Sequence, residues 1–307
     1  MSELEKGLKD FAKDKPSKGK PSFTKTSHKK PYPAIDPSRP ELSAKGKVIL
    51  ITAGHTGIGR AIADAFGTAG AAHVAIVGRR SDIVEQAAKE LEAKHPSTKY
   101  HPYAGSITDA ARVGEIFDDI RSNFGGVDVI VTSAVYISQP KSALNSSIED
   151  FRASIETNVF GHINVLQELV KDAKSGDGKE RVVLDVSSAA AHIYIPSQSL
   201  YAVSKQAYTH FLEHVAKDNA VKGLRVHSFH PATVLSDAAR GFGLDENSMP
   251  WDDAALPGNF AVWLASKEGA FLSGRFVYGN WDVEELIEKK PELENDRDLL
   301  TDGLRLS

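Results

Sequence analysis

The alternation of short apolar strands with helical segments constrains this 307-residue chain more than any other feature of its sequence. Runs predicted to be strands lie at residues 47–52, 73–77, 100–103, 128–131, 181–186, 224–229 and 275–278. Segments with helical periodicity separate them, at residues 58–69, 83–94, 110–124, 148–173, from Tyr201 onward, and at 250–265. Because strands separated by helices pair in parallel, we expect an α/β fold: one domain with a doubly wound, mostly parallel, seven-stranded sheet of Rossmann type.

Composition and charge exclude several classes of protein. The chain is 41% hydrophobic and 25% charged, as in ordinary globular domains, and its net charge of −4 gives no electrostatic reason to bind nucleic acid or anionic membranes. It has no cysteine, so disulfides, thiolate metal sites and cysteine nucleophiles are excluded. No apolar run approaches the roughly 20 residues that span a bilayer, and no secretory signal precedes the first lysines. We therefore expect a cytoplasmic protein.

The chain is expected to contain three compositional zones. Residues 1–45 alternate lysine with proline and contain few apolar residues, which predicts a basic, largely flexible extension whose more apolar part, residues 32–42, can lie along the domain surface. Acidic residues dilute its charge, so a solvated tail is favoured over a nucleic-acid-binding arm. The Rossmann domain is expected over residues 46–290, followed by a C-terminal tail at 291–307.

A glycine-containing turn follows the first predicted strand. Residues 52–59 read TAGHTGIG and lead into a helix. Backbone amides at such a helix N-terminus bind the pyrophosphate of a dinucleotide, and glycines allow the ligand to approach closely. The alternative is a tight strand-to-helix turn that binds nothing, because a single glycine motif is weak evidence.

Residues 187–205 contain the strongest catalytic candidates. Tyr201 and Lys205 are four residues apart, so on a helix they lie one turn apart on one face. An ammonium beside a phenol lowers the tyrosine pKa from its usual value of about 10, which suits a general acid or base near neutral pH. A serine at the end of the preceding strand could bind the same substrate oxygen. The alternative is a solvated helix face that bears both side chains by chance.

The end of the second strand bears on cofactor choice. It reads Val77-Gly78-Arg79-Arg80, without the acid that an NAD enzyme places there for the ribose hydroxyls. An arginine can bind a 2′-phosphate through two hydrogen bonds, which favours NADP(H). The alternative is a pair of surface arginines.

Taken in order, these motifs resemble the short-chain dehydrogenase/reductase family over roughly residues 45–280. The family's glycine motif corresponds to residues 52–59, its Asn-Asn-Ala-Gly motif to 132–135, and its later Asn-Pro-Gly motif to 230–232. Asn158 matches the helix asparagine of its Asn-x-x-Gly motif, and Ser188 precedes Tyr201 by the family spacing of thirteen residues. Residues 280–282 resemble a subgroup common in fungi, many of whose members act in secondary metabolism.

The resemblance implies a role for each matched residue. Tyr201 would be the general acid/base, Ser188 would bind the substrate oxygen, Lys205 would bind the nicotinamide ribose and depress the tyrosine pKa, and Asn158 would bind a proton-relaying water. Asn158 alternatively is a helix asparagine bonded to backbone. The expected cofactor contacts are Thr52, Gly54, His55, Thr56, Gly57, Ile58, Gly59, Arg79, Arg80, Ser106, Ile107, Ser133, Ala134, Tyr201, Lys205, Pro231, Ala232 and Val234.

Several positions depart from the family pattern. Ala53 and Ala232 replace glycines, and Ser106 stands where an aspartate usually contacts the adenine. Residues 132–135 read Thr-Ser-Ala-Val, so the usual bracing after the fourth strand is in doubt. None of these departures removes a catalytic group.

Residues 232–249 are expected to close the substrate pocket as a mobile lid, because they include two glycines. A largely apolar lining predicts a small hydrophobic ketone or secondary alcohol as substrate. The expected substrate contacts are His192, Tyr194, Gln198, Phe242, Met249 and Trp251. His210 and His214 have metal-ligand spacing, but the sequence gives no third ligand nearby, so we expect no metal.

The leading hypothesis is therefore an NADP(H)-dependent oxidoreductase that transfers a hydride to or from a hydrophobic ketone or alcohol. Two alternatives stay open: an NADP(H)-sensing regulatory protein without turnover, and an isomerase or dehydratase on the same fold. The helices that begin at residues 148 and 201 resemble the family's interface pair, which predicts a homodimer or homotetramer. The fold does not name the substrate.

Overall fold

Seven parallel strands form one sheet in the order β3-β2-β1-β4-β5-β6-β7. This computed structural model describes residues 23–173, 178–218 and 221–303. All seven predicted strands are present, and the doubly wound parallel fold is confirmed. The strands are β1 Val48–Thr52, β2 His73–Gly78, β3 Lys99–Ala104, β4 Val129–Thr132, β5 Arg181–Val186, β6 Leu224–His230 and β7 Phe276–Tyr278.

The helices cover both faces of this sheet. They are α1 Gly57–Thr68, α2 Ser81–Lys94, α3 Ala110–Phe124, α4 Ile148–Ile155, α5 His162–Ala173, α6 Ser199–Asp218, α7 Asp237–Gly241, α8 Ala255–Ala265, α9 Val283–Glu288 and α10 Lys290–Asn295. Two predictions need correction. The long helix expected over 148–173 is interrupted by a π-helical turn, Glu156–Gly161, between α4 and α5. The helix expected from residue 250 begins at Ala255, after a separate short α7.

Two apolar layers hold the helices to the sheet. Ile49 and Ile51 of β1 face a layer shared with α1, α2 and α8, whereas Val48 and Leu50 face a layer shared with α3, α5 and α6. Side chains alternate between the faces of a strand, so one continuous apolar run supplies both layers. This explains why β1 is buried along its whole length.

The N-terminal segment departs from the flexible extension expected through residue 45. Ile35 and Leu42 are buried in the layer that contains α8, and His28 donates its backbone N–H to Asn280 O at 2.7 Å. This segment contains few apolar residues, so the sequence did not indicate that they pack against the domain. Residues 23–45 are therefore part of the folded domain, and residues 1–22 lie outside the described residues.

The C-terminal tail is also packed, as far as residue 303. Leu293 is fully buried, and Leu300 O accepts a hydrogen bond from Phe276 N at 2.9 Å. The described part of the tail thus continues beside the last strand, whereas residues 304–307 lie outside the described ranges. In the part of the chain that the structure describes, no helix is both long and apolar enough to cross a bilayer.

The chain reverses its direction of sheet growth between β1 and β4. Strands β2 and β3 extend the sheet on one side of β1, and β4 to β7 extend it on the other. At such a reversal the connections leave in opposite directions and open a crevice at the carboxyl ends of the strands. The glycine turn after β1 and Ser133 after β4 both lie at this crevice.

Candidate active site

The glycine turn brings the N-terminus of α1 directly against the end of β1. A Cβ atom built on Gly59 would lie 2.6 Å from Ala53 O and 3.1 Å from Ser133 Oγ, so no larger residue fits there. Gly57 has φ +51°, a conformation that favours glycine. The turn therefore presents the unpaired amides of the first helical turn to the crevice, as an anion-binding site requires.

Two alanines that replace family glycines keep the backbone conformation of glycine. Ala53 has φ +54° and Ala232 has φ +74°. A left-handed conformation costs an L-residue roughly 1–2 kcal/mol, because Cβ approaches the following carbonyl oxygen. Both turns therefore follow the path that a glycine would take, at some cost in backbone strain.

The segment after β4 is braced despite its departure from the family motif. Thr52 Oγ1 accepts hydrogen bonds from Ser133 N and Ala134 N, both at 2.9 Å. The imidazole of His162 is 2.9 Å from Ala134 O, and burial lowers its pKa to about 3, so the ring is neutral. Thr52 and His162 together supply the bracing that the sequence left in doubt.

Ser188, Tyr201 and Lys205 converge beyond the carboxyl end of β5. Tyr201 lies in the first turn of α6, close enough to Ser188 for the serine hydroxyl to lower its pKa. Lys205 is 3% exposed, and its Nζ donates to Val186 O at 2.7 Å. The same Nζ is 6.0 Å from the centroid of the Tyr201 ring. A phenol, a serine hydroxyl and an ammonium thus share one small region that could bind a polar oxygen.

The electrostatics of this group differ from the expectation. Burial raises the pKa of Tyr201 to about 12, the Ser188 hydrogen bond lowers it, and the Asp185 carboxylate raises it again. Burial also lowers the pKa of Lys205, an effect that Asp185 opposes. The expected depression of the tyrosine pKa by Lys205 is therefore wrong for this structure, because the ammonium is directed to Val186 O and its charge interacts mainly with Asp185.

Asp185 is a buried carboxylate that sequence reasoning missed. It is 0% exposed on β5, with Thr209 Oγ1 at 3.3 Å and Thr132 Oγ1 at 3.4 Å. Burial raises its pKa, whereas Lys205 and these hydroxyls lower it. The signal in the sequence was an acid inside an otherwise apolar strand, since such a group needs buried partners.

Asn158 lies in the π-helical turn and is fully buried. Its Oδ1 accepts from Tyr136 N at 2.7 Å, and its Nδ2 donates to Tyr136 O and to Ser204 Oγ, both at 2.9 Å. The side chain thus joins the loop after β4 to α6. This is the bonding that the alternative reading of Asn158 described, and π-helical turns often occur at functional sites.

The end of β2 bears two adjacent arginines, with Asp82 two residues further along in the first turn of α2. Arg79 and Arg80 are exposed, and no ion pair of either is found within the described ranges. Within the glycine turn, His55 packs against Gly78 at the end of β2, and its Nδ1 is buried without a hydrogen-bond partner in the described part of the chain. Burial lowers the His55 pKa, and Arg80 lowers it further. An orphaned buried donor or acceptor beside two unpaired guanidinium groups fits an anionic ligand such as a ribose phosphate.

Ser106 and Ile107 follow β3 at the same edge of the sheet. Ser106 Oγ is 2.8 Å from Thr108 Oγ1, and Ile107 O accepts from Asn164 Nδ2 at 2.9 Å. Ile107 is buried, and a Cβ on Gly161 would lie 2.7 Å from its side chain. These contacts place both residues at the crevice, beside the π-helical turn.

The expected lid, residues 232–249, rests on the glycine turn. Thr56 Oγ1 donates to Asp237 Oδ2, which is at the start of α7. Pro231 is buried and Val234 half-buried, and they lead from β6 into this segment. This segment therefore contacts the N-terminus of α1, where the pyrophosphate was expected.

The six expected substrate contacts are not equally placed. Phe242, Met249 and Trp251 are partly buried in or beside the lid, and Trp251 Nε1 donates to Asp245 O at 2.7 Å. Tyr194 is 80% exposed. The backbone of Gln198 forms a parallel β-bridge with that of Lys141, and His192 Nδ1 pairs with Asp302 Oδ1 at 2.8 Å. The imidazole of His192 is thus occupied by a contact within the protein.

A family model described as short chain dehydrogenase matches residues 47–247, and a curated short chain dehydrogenase/reductase, nsrO from Aspergillus novofumigatus, is 36% identical over 289 residues. That alignment covers 92% of this chain and 97% of the relative. The chain belongs to the short-chain dehydrogenase/reductase family. It is accordingly an oxidoreductase of a family that uses nicotinamide cofactors.

Two solved structures of oxidoreductases share the fold. A 7α-hydroxysteroid dehydrogenase complexed with NADH and 7-oxo glycochenodeoxycholic acid is 25% identical, with a TM-score of 0.69 over 81% of this chain and 96% of that chain. An L-sorbose reductase from Gluconobacter frateurii, complexed with NADPH and L-sorbose, has a TM-score of 0.68 over 78% of this chain and 96% of that chain at 23% identity. One neighbour holds NADH and the other NADPH, so the neighbours do not decide between the cofactors.

Proposed function

We propose that this short-chain dehydrogenase/reductase is an NADP(H)-dependent reductase that interconverts a hydrophobic ketone and its secondary alcohol. The observation that carries the proposal is the convergence of Ser188, Tyr201 and Lys205 at one strand end of the crevice. The reading of a nucleotide sensor without turnover gains no support from this geometry, because the catalytic groups and their bracing are complete.

The Tyr201 hydroxyl donates the proton that a reduced carbonyl oxygen requires. A bound nicotinamide supplies the hydride in this direction and accepts it in the other. Burial raises its pKa to about 12, so Tyr201 is protonated at neutral pH, as ketone reduction requires, although a raised pKa makes the hydroxyl a weaker acid. The Ser188 hydroxyl, which lies near Tyr201, donates a second hydrogen bond to the same oxygen.

Lys205 and Asn158 hold this arrangement in place. Lys205 leaves Val186 O to bind the nicotinamide ribose, and Asp185 favours its charged form although the ammonium is buried. Asn158 fixes Ser204 one turn from Tyr201, and Ser204 Oγ donates to Tyr201 O at 2.8 Å. The side chain of Asn158 is used in these hydrogen bonds within the protein. Its role in binding a proton-relaying water is therefore proposed from the family resemblance alone.

Cofactor choice rests on the unpaired charge at the end of β2. Arg79 and Arg80 bind the 2′-phosphate, the glycine turn and Thr56 bind the pyrophosphate, and His55 lies between the two sites. NAD(H) would need an acid here to bind its free 2′-hydroxyl, and the first three residues after Val77 include none. The protein is therefore expected to prefer NADP(H).

The substrate class follows from the lid. Phe242, Met249 and Trp251 supply apolar surface at a crevice whose reacting groups are polar, which suits an aromatic or polycyclic ketone. The chain matches a fungal relative over nearly the whole length of both proteins, and on this basis we propose a role in secondary metabolism.

The experiment is a steady-state assay with NADPH or NADH and a panel of aromatic and polycyclic ketones. We expect turnover with NADPH, and we expect Tyr201→Phe to reduce kcat by roughly 10²–10⁴ because it removes the general acid. NADPH affinity, measured by fluorescence titration, should stay within about two-fold, since the ring remains. Tyr103→Phe is the matched control, because it removes the same hydroxyl from β3, where Tyr103 Oη donates to Asp119 Oδ2 at 2.5 Å, and Tyr103 is not an expected cofactor or substrate contact.

Near-normal turnover in Tyr201→Phe would contradict the assigned role. Tight NADPH binding by the wild type without turnover on any ketone would favour the nucleotide sensor, and conversion of a substrate without net oxidation of NADPH would favour an isomerase or dehydratase.

We also propose a homodimer or homotetramer assembled through α4 and α6. Ile148 and Phe160 near one helix, and Val203 and Phe211 on the other, expose between 38% and 58% of their surface. Four large apolar side chains on neighbouring helices are typical of a subunit interface. Light scattering should give a multiple of the 33.2 kDa chain, and Phe211→Asp combined with Phe160→Asp should give the monomer.

A further inference from the structure

A cluster of four titratable side chains joins the C-terminal segment to α6, away from the groups assigned to catalysis. We call it the Asp302 cluster; its members are His192, His210, Glu213 and Asp302. Asp302 N donates to both carboxylate oxygens of Glu213, at 2.9 and 3.1 Å. His192 Nδ1 is 2.8 Å from Asp302 Oδ1. Long-range contacts therefore assemble the cluster from three separate parts of the chain.

The cluster brings two carboxylates together where little water reaches them. The side chains of Glu213 and Asp302 are 5% and 14% exposed. Asp302 Oδ2 is buried and has no hydrogen-bond partner within the described ranges. Two neighbouring buried carboxylates with an unsatisfied oxygen are stabilised by a bound cation.

The spacing of the donor atoms suits a metal ion better than hydrogen bonds. His210 Nδ1 is 3.6 Å from Glu213 Oε2 and 3.9 Å from Asp302 Oδ2, which is too long for a hydrogen bond. The ligand atoms of the three residues all lie within 4.8 Å of one another. Ligands 2.0–2.2 Å from a tetrahedral zinc ion lie about 3.4 Å apart, so the donor atoms must approach one another by up to about 1.4 Å to complete the geometry.

The ligand chemistry selects the class of metal. One imidazole nitrogen and two carboxylates favour zinc over magnesium or calcium, which prefer oxygen ligands alone. His192 pairs with the other oxygen of Asp302 and so orients that carboxylate. We propose that His210, Glu213 and Asp302 bind one zinc ion, with water as the fourth ligand and His192 supporting Asp302.

This site replaces the histidine pair that the sequence offered. His214 is four residues from His210, but its ring lies edge-on to the His210 ring with centroids 4.9 Å apart, and it is outside the group of donor atoms. The third ligand comes from Asp302, nearly 90 residues along the chain from Glu213, as their sequence separation of 89 shows. No local spacing could have indicated it.

A bound zinc ion would tie the C-terminal segment to the catalytic helix. Through His192, which follows the 3₁₀ turn Ala189–Ala191, it would also fix the loop between Ser188 and Tyr201. The role is structural, and it requires neither NADP(H) nor turnover. Zinc binding can therefore fail or succeed independently of the proposed reductase activity.

The test is isothermal titration of the untagged, full-length, metal-free protein with zinc chloride, together with metal analysis after dialysis. We expect one zinc per chain and a higher Tm with zinc. His210→Ala and Asp302→Asn should each weaken zinc binding by at least ten-fold, because changes around a metal typically cost ten- to a hundred-fold in affinity. His192→Ala should have a smaller effect in the same direction.

His214→Ala is the matched control, since His214 is exposed on the same helix. Its zinc affinity should stay within about two-fold of the wild type. Equal losses in His214→Ala and His210→Ala, with none in Asp302→Asn, would assign the ion to the helix pair and overturn the proposal. Absence of stoichiometric zinc binding by the wild type would show that the cluster is an ion-pair network instead.

Discussion

The cofactor side and the substrate side of the crevice are built in different ways. On the cofactor side, residues 48–132, short turns connect regular strands and helices, and Thr52 contacts the neighbouring strand end through two amides. The substrate side consists of residues 133–147, 189–198 and 232–254, whose regular elements have five residues or fewer. On this side, loops are hydrogen-bonded to one another: for example, Lys141 N donates to Ser197 O at 3.2 Å.

Exposure of large apolar side chains follows the same division. None of the described residues on the cofactor side exposes a large hydrophobic side chain, whereas Leu144 is 98% and Tyr194 80% exposed on the substrate side. A rigid framework therefore carries the part that meets an invariant cofactor, and adaptable loops carry the part that meets the substrate. The difference predicts that changes on the two sides affect different measurements.

The largest effect expected on the cofactor side concerns Arg79. Arg79→Ala should weaken NADPH binding by roughly ten- to a hundred-fold, because losing a partner to a charged group costs roughly 1.5–3 kcal/mol. NADH binding should barely change, since only NADPH carries the 2′-phosphate. Arg80 can compensate in part, so the double variant gives the larger loss. The measurement is titration of both cofactors at two ionic strengths. The contribution of the arginine–phosphate contact to NADPH affinity should decrease as the salt concentration rises.

Arg60→Ala is the matched control for charge. Arg60 lies on α1 and pairs with Glu90 at 2.6 Å. Its substitution by alanine removes the same charge near the crevice and leaves the end of β2 unchanged. Equal losses of NADPH and NADH affinity in Arg79→Ala would mean that the arginine is structural and that the cofactor choice is wrong.

A smaller effect is expected at Asp237, where the two sides meet. Its carboxylate accepts a hydrogen bond from Thr56 at the N-terminus of α1, beside the proposed pyrophosphate site. Asp237→Asn should tighten NADPH and NADH equally, by a few-fold, because an exposed like charge near a phosphate costs about 1 kcal/mol or less. Fluorescence titration with both cofactors measures this.

Glu246→Gln controls for loss of a lid carboxylate. Glu246 is exposed in the same segment and pairs with Arg240 at 2.9 Å. If Asp237→Asn weakens both cofactors instead, the Thr56 contact supports the bound state and the lid does not have to move away from the turn.

The regular strands and helices, and the motif residues that they carry, could be predicted from the sequence because their determinants are local. The apolar runs gave all seven strands, and the glycine turn, Ser188, Tyr201 and Lys205 lie where the motifs indicated. Short-range spacing alone decides which face of a helix or strand a residue occupies.

The remaining features depend on contacts between distant parts of the chain. The pKa of Tyr201 depends on burial and on Asp185, and the environment of His192 depends on Asp302. The packing of residues 23–45 depends on α8 and on residues 280–285. No local pattern encodes these distances, so the sequence predicted a flexible extension and a substrate-facing histidine where the structure has contacts within the protein.

The smallest effect compares the two alanines with positive φ, one on each side of the crevice. Ala53→Gly and Ala232→Gly remove a left-handed strain of roughly 1–2 kcal/mol but add about 0.4–1 kcal/mol of unfolded-state entropy. We therefore expect each to raise the free energy of unfolding by about 1 kcal/mol or less, measured by urea denaturation. Ala72→Gly is the control, because Ala72 is not among the residues with positive φ and should only lose stability.

Ala53 is held between β1 and Gly59, so its strain cannot relax, whereas Ala232 begins the loop-held segment. The gain should thus be larger at Ala53, and a larger gain at Ala232 would mean that the substrate side is the more rigid of the two.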